Sequence, residues 1–138
     1  MSGSSLFQTE MSVRLGDINS GHHLKMTSLL EMCQHVRILF LKKSGSTEQN
    51  SKNISVILRH VDCHIASQSY FEDNLRFNLH LRGSDRYTLD LFYVVHNNST
   101  NKKVAHVNEN IVFFNYELNK ITQIPIYLRE SIINLNNS

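Results

Sequence analysis

Residues 13–45 read VRLGDINSGHHLKMTSLLEMCQHVRILFLKKSG, and this stretch decides the fold because a polar turn precedes one long amphipathic pattern. The turn-forming residues 16–23 end a strand, and we predict a helix over residues 24–43. At 100° per residue one apolar stripe lies within about 60° of Met26; it contains Leu30, Cys33, Phe40 and Leu41. Arg37 falls at about 20°, inside the stripe. A guanidinium is costly to bury without partners, so Arg37 is a candidate functional residue.

The rest of the chain has the alternation of strands. We predict a first strand over residues 7–15 and four more over residues 54–65, 75–82, 87–96 and 104–116. The order predicts an α+β fold, with one long helix packed on a curled antiparallel sheet, in one domain spanning residues 1–138. Residues 1–5 are predicted to be a frayed end, and the last strand to be followed by a departing segment at Pro125 and a disordered tail at 134–138.

Composition excludes several classes of partner. The chain has 138 residues, of which 41% are hydrophobic and 19% are charged, and its net charge is +2. This balance is typical of a globular protein without a nucleic-acid footprint, and no apolar run approaches the roughly 20 residues of a membrane helix. Cys33 and Cys63 lie in a predicted helix and a predicted strand, and no signal-peptide pattern is visible, so we expect a cytoplasmic location.

Several short motifs follow one another in a familiar order. They are the turn Asp17-Ile18-Asn19-Ser20-Gly21-His22, Arg37 late in the helix, Phe71-Glu72-Asp73-Asn74-Leu75, and Asn115-Tyr116 with Ile124-Pro125. In this order the chain resembles a hotdog-fold thioesterase of the 4-hydroxybenzoyl-CoA thioesterase-like superfamily. The resemblance implies hydrolysis of acyl thioesters without a metal or redox cofactor. It also implies a homodimer or homotetramer whose sheets join edge to edge, with the acyl chain at the interface beside the helix.

The turn departs from the common pattern of that family. The family has a second carboxylate where this chain has Asn19, and an amide cannot act as a base. The arrangement is similar to that of the enediyne-type polyketide thioesterases. This similarity implies that Asn19 and Arg37 polarise the thioester while water attacks, and that the substrate is a fatty or polyketide acyl group on acyl carrier protein or coenzyme A. Asp17 is a third catalytic candidate, as a cap, a base acting through water, or a partner of an arginine such as Arg37.

Substrate-binding candidates surround the start of the helix. Gly21, His22 and His23 precede it, where backbone N–H groups would face a thioester carbonyl. Arg59 could meet the phosphates of a pantetheine carrier or an acidic carrier protein, as could four other basic residues: Lys42, Lys43, Arg82 and Arg86. Such residues are more commonly part of a solvated surface.

Each candidate has a structural alternative. Arg37 could form a buried ion pair with an acid from a strand, and Asn19 could stabilise the turn. Cys33 has apolar neighbours, which favour a core position over a nucleophile. The row His60, Asp62 and His64 lies on one face of a strand, where convergence on a metal ion is uncommon, so we predict no metal site.

Two other functions remain open. With the usual carboxylate gone, the domain could bind acyl thioesters without turning them over. A hotdog 3-hydroxyacyl dehydratase would use a histidine with a helix carboxylate, and residues 29–34, LLEMCQ, faintly resemble its helix motif. Glu31 would then be the carboxylate, although it lies at about 140° on the helical wheel, off the apolar stripe.

Overall fold

The computed structural model describes residues 4–136. Its strands are β1 (Ser4–Ser12), β2 (Ile54–Ile65), β3 (Asn74–Ser84), β4 (Thr88–Asn97), β5 (Lys102–Asn115) and β6 (Lys120–Thr122). The helices are α1 (Met26–Lys43) and α2 (Ile126–Asn136), and a short 3-10 turn, Leu15–Asp17, follows β1. The predicted α+β class, with one long helix and an antiparallel sheet, is confirmed.

The strands form one antiparallel sheet in the order β1-β3-β4-β5-β2, with β6 added to the end of β5. Hairpins join β3 to β4 and β4 to β5. β2 instead pairs with β5 at the far side of the sheet from β3, so the β2–β3 connection crosses the sheet. β2, which follows α1 along the chain, is therefore an edge strand of the sheet.

The core lies between α1 and one face of the sheet. The buried residues of α1 are Ser28, Leu29, Met32, Cys33, Val36, Arg37 and Phe40. Their apolar members centre near 300° on the helical wheel, so the core-facing stripe is turned by about 60° from the predicted one. Met26 is accordingly 47% exposed. Arg37 lies at the margin of the buried face and not at its centre.

Both ends of the chain differ from the prediction. β1 begins and ends about three residues earlier, and residues 4–5, predicted to be frayed, belong to it; residues 1–3 lie outside the described part. The segment after β5 forms β6 and α2, so the predicted tail is wrong for residues 134–136, while 137–138 are not described. α2 buries Leu128 and Ile132 completely or nearly so, and Pro125 accepts the first N–H bonds of the helix. Within residues 4–136, no helix is long and apolar enough to cross a membrane.

Candidate active site

Asp17 is fixed at the start of the loop that leads into α1. Its carboxylate is 6% exposed and accepts bonds from the Arg14 backbone N–H (2.9 Å), Nε (3.2 Å) and Nη2 (3.3 Å). Burial alone would raise the pKa of Asp17, but the bonds from Arg14, aided by Ser28, outweigh it and lower the pKa. The Asp17 carbonyl accepts the Lys25 N–H at 2.8 Å and closes the loop. The arginine partner of Asp17 is therefore Arg14 and not Arg37.

Asn19 organises the tip of this loop. Its Oδ1 accepts the Gly21 N–H at 2.9 Å and the His23 N–H at 3.4 Å, and its Nδ2 lies 3.2 Å from His23 Nδ1. The Asn19 carbonyl accepts the N–H of His22, whose φ of 69° completes the turn. A Cβ at Gly21 would lie 3.0 Å from His23 Nε2, a tighter contact than most Cβ atoms make, so a larger residue there would press on the ring. The turn-stabilising alternative for Asn19 is thus observed.

A cavity of about 200 Å³ lies beside Asn19, His23 and the first turn of α1. Its apolar wall contains Leu29, Ile65 and Val104, and the segment 67–69 forms the polar side. Lys25 precedes α1 and makes no side-chain cap, so the N–H groups of the first turn are not capped by that residue. Hydrogen-bond donors and apolar side chains therefore both line the cavity.

Asn97 stabilises the polar side of the cavity through hydrogen bonds to Ser69 and Asp73. This residue is fully buried, and its Nδ2 donates to Ser69 Oγ at 3.3 Å and to Asp73 Oδ2 at 2.8 Å. The Ser69 carbonyl accepts the Leu24 N–H at 2.7 Å. These bonds couple the loop before α1 to the connection between β2 and β3.

Arg37 lies in the core, away from this loop. Its Nη1 donates to Glu109 Oε1 at 2.8 Å and to Oε2 at 2.9 Å, and the Tyr93 hydroxyl donates to Glu109 Oε1 at 2.7 Å. Burial raises the pKa of Tyr93 well above its ordinary value, and the Glu109 charge adds to the shift. The buried ion pair, named above as the structural alternative for Arg37, is present, and Arg37 is absent from the described lining of the cavity.

The other predicted residues are dispersed. Arg59 is exposed on β2 and donates its Nε to Asn110 Oδ1 at 2.9 Å. His22 and Gly21 are exposed at the loop tip. Of the row on β2, His60 contacts Asp62 at 3.5 Å, whereas His64 stacks on His106. Among residues 4–136 no group of three metal-binding side chains is found.

Glu31, the carboxylate that the dehydratase alternative requires, does not meet His23. It lines a different cleft, of about 400 Å³, between the end of β1 and α1, together with Arg14 and His35. The cavity beside His23 is lined by neither Glu31 nor any other acidic side chain of the described residues. Glu31 and His23 therefore line different cavities of the chain.

Sequence reasoning missed the partners of the candidate residues. Glu109 is an acid at an inward position of β5, between Val107 and Ile111, both fully buried. The alternation of residues along β5 places Glu109 on the same face as these two apolar residues. This pattern predicts a cationic partner, because a buried acid is costly without one. Arg14, three residues before Asp17, carried no comparable signal.

A family model described as the thioesterase-like superfamily matches residues 13–132, which include the Asn19 loop, α1 and the whole of the cavity lining. The chain belongs to the thioesterase-like superfamily. A search of curated proteins found no match. Membership of this superfamily indicates thioester hydrolysis as the reaction class to consider for the cavity.

Several solved structures share the fold. A 1,4-dihydroxy-2-naphthoyl-CoA thioesterase from Synechocystis has a TM-score of 0.84 at 18% identity, covering 94% of this chain and 97% of that one. A Staphylococcus aureus protein solved in complex with CoA has a TM-score of 0.88 at 14% identity, with 99% and 87% covered. A 12:0-ACP thioesterase from Umbellularia californica has a TM-score of 0.77 at 14% identity, with 94% and 50% covered. The hotdog fold implied by the resemblance is confirmed.

Proposed function

We propose that this chain hydrolyses acyl thioesters by direct attack of water, at the cavity beside Asn19. One observation carries the proposal. The Asn19 amide and the His23 ring lie together in the lining of a partly apolar cavity, beside the N-terminus of α1. Such a cavity suits an apolar acyl group whose reacting carbonyl lies against the polar side chains.

The loop sets both side chains as hydrogen-bond donors. Because Asn19 Oδ1 accepts two backbone N–H groups, its Nδ2 is the atom that faces His23 Nδ1. His23 Nδ1 then accepts, and the ring proton is on Nε2. Asn19 keeps its second Nδ2 proton, so the pair offers two donors to a thioester oxygen or to water. The pair is suited to polarising a carbonyl.

The reaction follows from these donors. Water attacks the thioester carbon, and the oxygen that becomes negative is stabilised by Asn19, His23 and the first-turn amides of α1. The C–S bond then breaks, the sulfur takes the proton that the attacking water gives up, and a carboxylic acid and a thiol are released. Asp17 acts as a positioning residue, through Arg14 and the Lys25 amide. The polarising role implied for Arg37 by resemblance stays a prediction, because its Nη1 is occupied by Glu109.

The proposed substrate is a fatty or polyketide acyl thioester of acyl carrier protein or coenzyme A, handled in the cytoplasm. The CoA complex and the ACP thioesterase among the structural neighbours support thioester carriers of this kind. Arg59 remains a candidate contact for the carrier's phosphates. Arg59 lies on β2. If two copies of the chain pair through their β2 strands, Arg59 would reach a thioester bound to the second copy.

The proposed assembly is a dimer that pairs the two β2 strands, with a tetramer as a larger form. β2 is the long edge strand of the sheet, and Leu58 and Ile65 on it are 41% and 40% exposed. The other edge strand, β1, is contacted by α2. Since Ile65 also lines the cavity, pairing at β2 would bring the second copy to the wall of the site.

Thiol release from acyl-CoA and acyl-carrier substrates tests the proposal. We expect the native protein to release thiol, and Asn19→Ala to lose about 100-fold of the rate, as removal of an oxyanion donor does. His23→Ala should also lose rate, while His96→Ala, on the outer face of the sheet, keeps it. Equal rates for native protein and folded Asn19→Ala would contradict the proposed mechanism.

A second candidate function is binding without turnover. It is favoured by the absence of an acidic side chain from the cavity lining within residues 4–136, since the residues there supply donors but no carboxylate. Saturable binding of acyl-CoA with no thiol release by the native protein would select this function. Release of an enoyl product would instead indicate a dehydratase.

A further inference from the structure

Ser69 is a buried polar residue in the lining of the cavity. It belongs to the connection between β2 and β3 and is 1% exposed. Its backbone is joined to the loop before α1, because its carbonyl accepts the Leu24 N–H at 2.7 Å and the next residue, Tyr70, forms an isolated β-bridge with His23. Ser69 therefore lies opposite the residues that lead into α1, and it borders the same cavity as Asn19 and His23.

The hydroxyl of Ser69 accepts a hydrogen bond from Asn97. Asn97 Oδ1 accepts the N–H groups of Ser99 at 2.8 Å and of Thr100 at 3.1 Å, so the amide nitrogen is on the other side and donates. This Nδ2 atom has two protons, and its partners are Asp73 Oδ2 at 2.8 Å and Ser69 Oγ at 3.3 Å. The direction of the bond to Ser69 is therefore fixed by the other partners of Asn97.

This bond leaves the Ser69 hydroxyl with a proton of its own to donate. A serine hydroxyl has one donor and two acceptor sites, and Asn97 uses one of the acceptor sites. Within the described part of the chain, Asn97 Nδ2 is the only hydrogen-bond partner of Ser69 Oγ. A buried donor without an acceptor is unfavourable, and a hydroxyl that accepts a bond is polarised and donates more strongly. The Ser69 hydroxyl is therefore prepared to donate to a group that enters the cavity.

Ser67 provides a contrast on the same polar side of the cavity. Its hydroxyl donates to the Lys103 carbonyl at 2.6 Å. The proton of Ser67 is therefore already used within the chain, whereas that of Ser69 is available to a ligand. Both residues line the cavity, so the two serines differ in their partners.

We propose that the Ser69 hydroxyl donates a hydrogen bond to the thioester oxygen, as a catalytic residue, and that Asn97 is its positioning residue. This proposal rests on the proposed function, in that the cavity receives the reacting carbonyl. The bond strengthens as the oxygen becomes negative, so Ser69 adds one donor to those of Asn19 and His23. The proton stays on Ser69 Oγ throughout and no bond forms to the acyl carbon, because an amide such as that of Asn97 cannot act as the base that a serine nucleophile needs.

The carbonyl band of a bound ligand tests this proposal without hydrolysis. The probe is an acyl-CoA ketone in which a methylene group replaces the sulfur, labelled with carbon-13 at the carbonyl, and infrared difference spectroscopy measures its C=O stretching frequency. For the native protein we expect a frequency below that of the free probe, and for Ser69→Ala a shift back toward the free value. Ser67→Ala should keep the native frequency, since the Ser67 hydroxyl is bonded to the Lys103 carbonyl.

Thiol release gives a second readout, which a purely structural role would not produce. Ser69→Ala should lose about 100-fold in kcat with a much smaller change in KM, because the donor acts mainly on the charge that develops during the reaction. Ser69→Cys keeps a group of similar size that is only a weak donor, and its kcat and carbonyl frequency should lie between those of the native protein and Ser69→Ala. Ser69→Cys therefore tests the proposal even if Ser69→Ala does not fold.

The outcomes separate this proposal from the proposed function. Thiol release by the native protein, with native rate and carbonyl frequency in a folded Ser69 variant, would overturn the role of Ser69 and leave hydrolysis in place. A band shift in Ser69→Ala, in a protein that releases no thiol, would support the donor and reject hydrolysis. A loss of rate without a band shift would overturn the proposal, since Ser69 would then not act on the carbonyl oxygen. Failure of the ketone to bind would overturn it as well.

Discussion

At the scale of single residues, two neighbouring polar side chains, Asp17 and Asn19, have different structural roles in the loop before α1. Asp17 is anchored by Arg14 and ties the loop to Lys25, so it holds the loop to the start of the helix. Asn19 orders the tip and turns its Nδ2 toward His23. The loop can therefore be rigid without a carboxylate at the cavity, because the one carboxylate it has is used for anchoring.

The anchoring role of Asp17 predicts a pH dependence of stability. Its pKa is lowered in the folded state, so the stability it contributes is present above the unfolded-state pKa of about 3.9 and is lost as the pH falls through the folded-state pKa. We expect Asp17→Asn to lower the free energy of unfolding by about 1 kcal/mol at pH 7, discounted because Arg14 is exposed. Urea unfolding should show the difference shrinking as the pH falls below 4. The exposed Glu10→Gln should show no such convergence.

The buried pair of Arg37 and Glu109 predicts a strong asymmetry between single and joint replacement. Arg37→Leu leaves an unpaired buried carboxylate and should cost about 3–5 kcal/mol of unfolding free energy. The triple variant with Glu109→Val and Tyr93→Phe should cost much less, because no polar group is left unsatisfied. Urea unfolding of both variants measures this. If the folded triple variant also lost all thiol release on short acyl chains, Arg37 would have the polarising role implied by resemblance.

The sequence predicted which elements carry Arg37 and Asn19, but it did not predict which residue Arg37 contacts. Arg37 was singled out because a guanidinium in an apolar helical face needs a partner, and it has one. The identity of that partner depends on which strand faces the helix, a long-range pairing that helical periodicity does not contain. For Asn19 the local pattern was sufficient, since its contacts lie within the turn itself.

At the scale of elements, α2 shows how a short helix can be overlooked. Its apolar residues Leu128 and Ile132 have helical spacing and follow Pro125, which is a helix-start signal. The polar composition of residues 134–138 masked that signal. In contrast, β2 was predicted with its observed bounds, because β-branched residues continue up to its end.

Burial of α2 predicts a measurable contribution to stability. Leu128 is fully buried, and Leu128→Ala should lower the free energy of unfolding by about 2–5 kcal/mol. Ile133 on the same helix is 50% exposed, so Ile133→Ala should change it by less than about 0.5 kcal/mol. Thermal or urea unfolding distinguishes the two. Equal and small effects would mean that the segment does not pack as the structure describes.

At the scale of the whole molecule, the two sheet edges are unequal. β1 has α2 beside it, while β2 presents twelve residues and two exposed apolar side chains. An open edge of this kind is a template for pairing with another chain. The crossing connection from β2 to β3 produces this arrangement, and no local sequence pattern predicts it.

Pairing between the β2 edge strands of two copies leads to a prediction about assembly. We expect the native protein to be a dimer or tetramer by sedimentation, and the variant Leu58→Lys/Ile65→Lys to dissociate toward a monomer, because charge at an edge strand opposes pairing. Ile121→Lys, at a similarly exposed position on β6, is the control and should keep the assembly. A native monomer, or a double variant with unchanged mass, would count against pairing through β2.

Among the described residues no acidic side chain lines the cavity, and this has a consequence for the fate of oxygen atoms. A carboxylate nucleophile would form a mixed anhydride with the acyl group. Attack of water at the carboxylate's own carbon would then send one of its oxygens into the first molecule of product and leave one oxygen of water on the protein. Here Asn19 and His23 have no such oxygen to give. In water enriched in oxygen-18, each acid released, including that of the first turnover, would carry one heavy oxygen, and the protein would gain none.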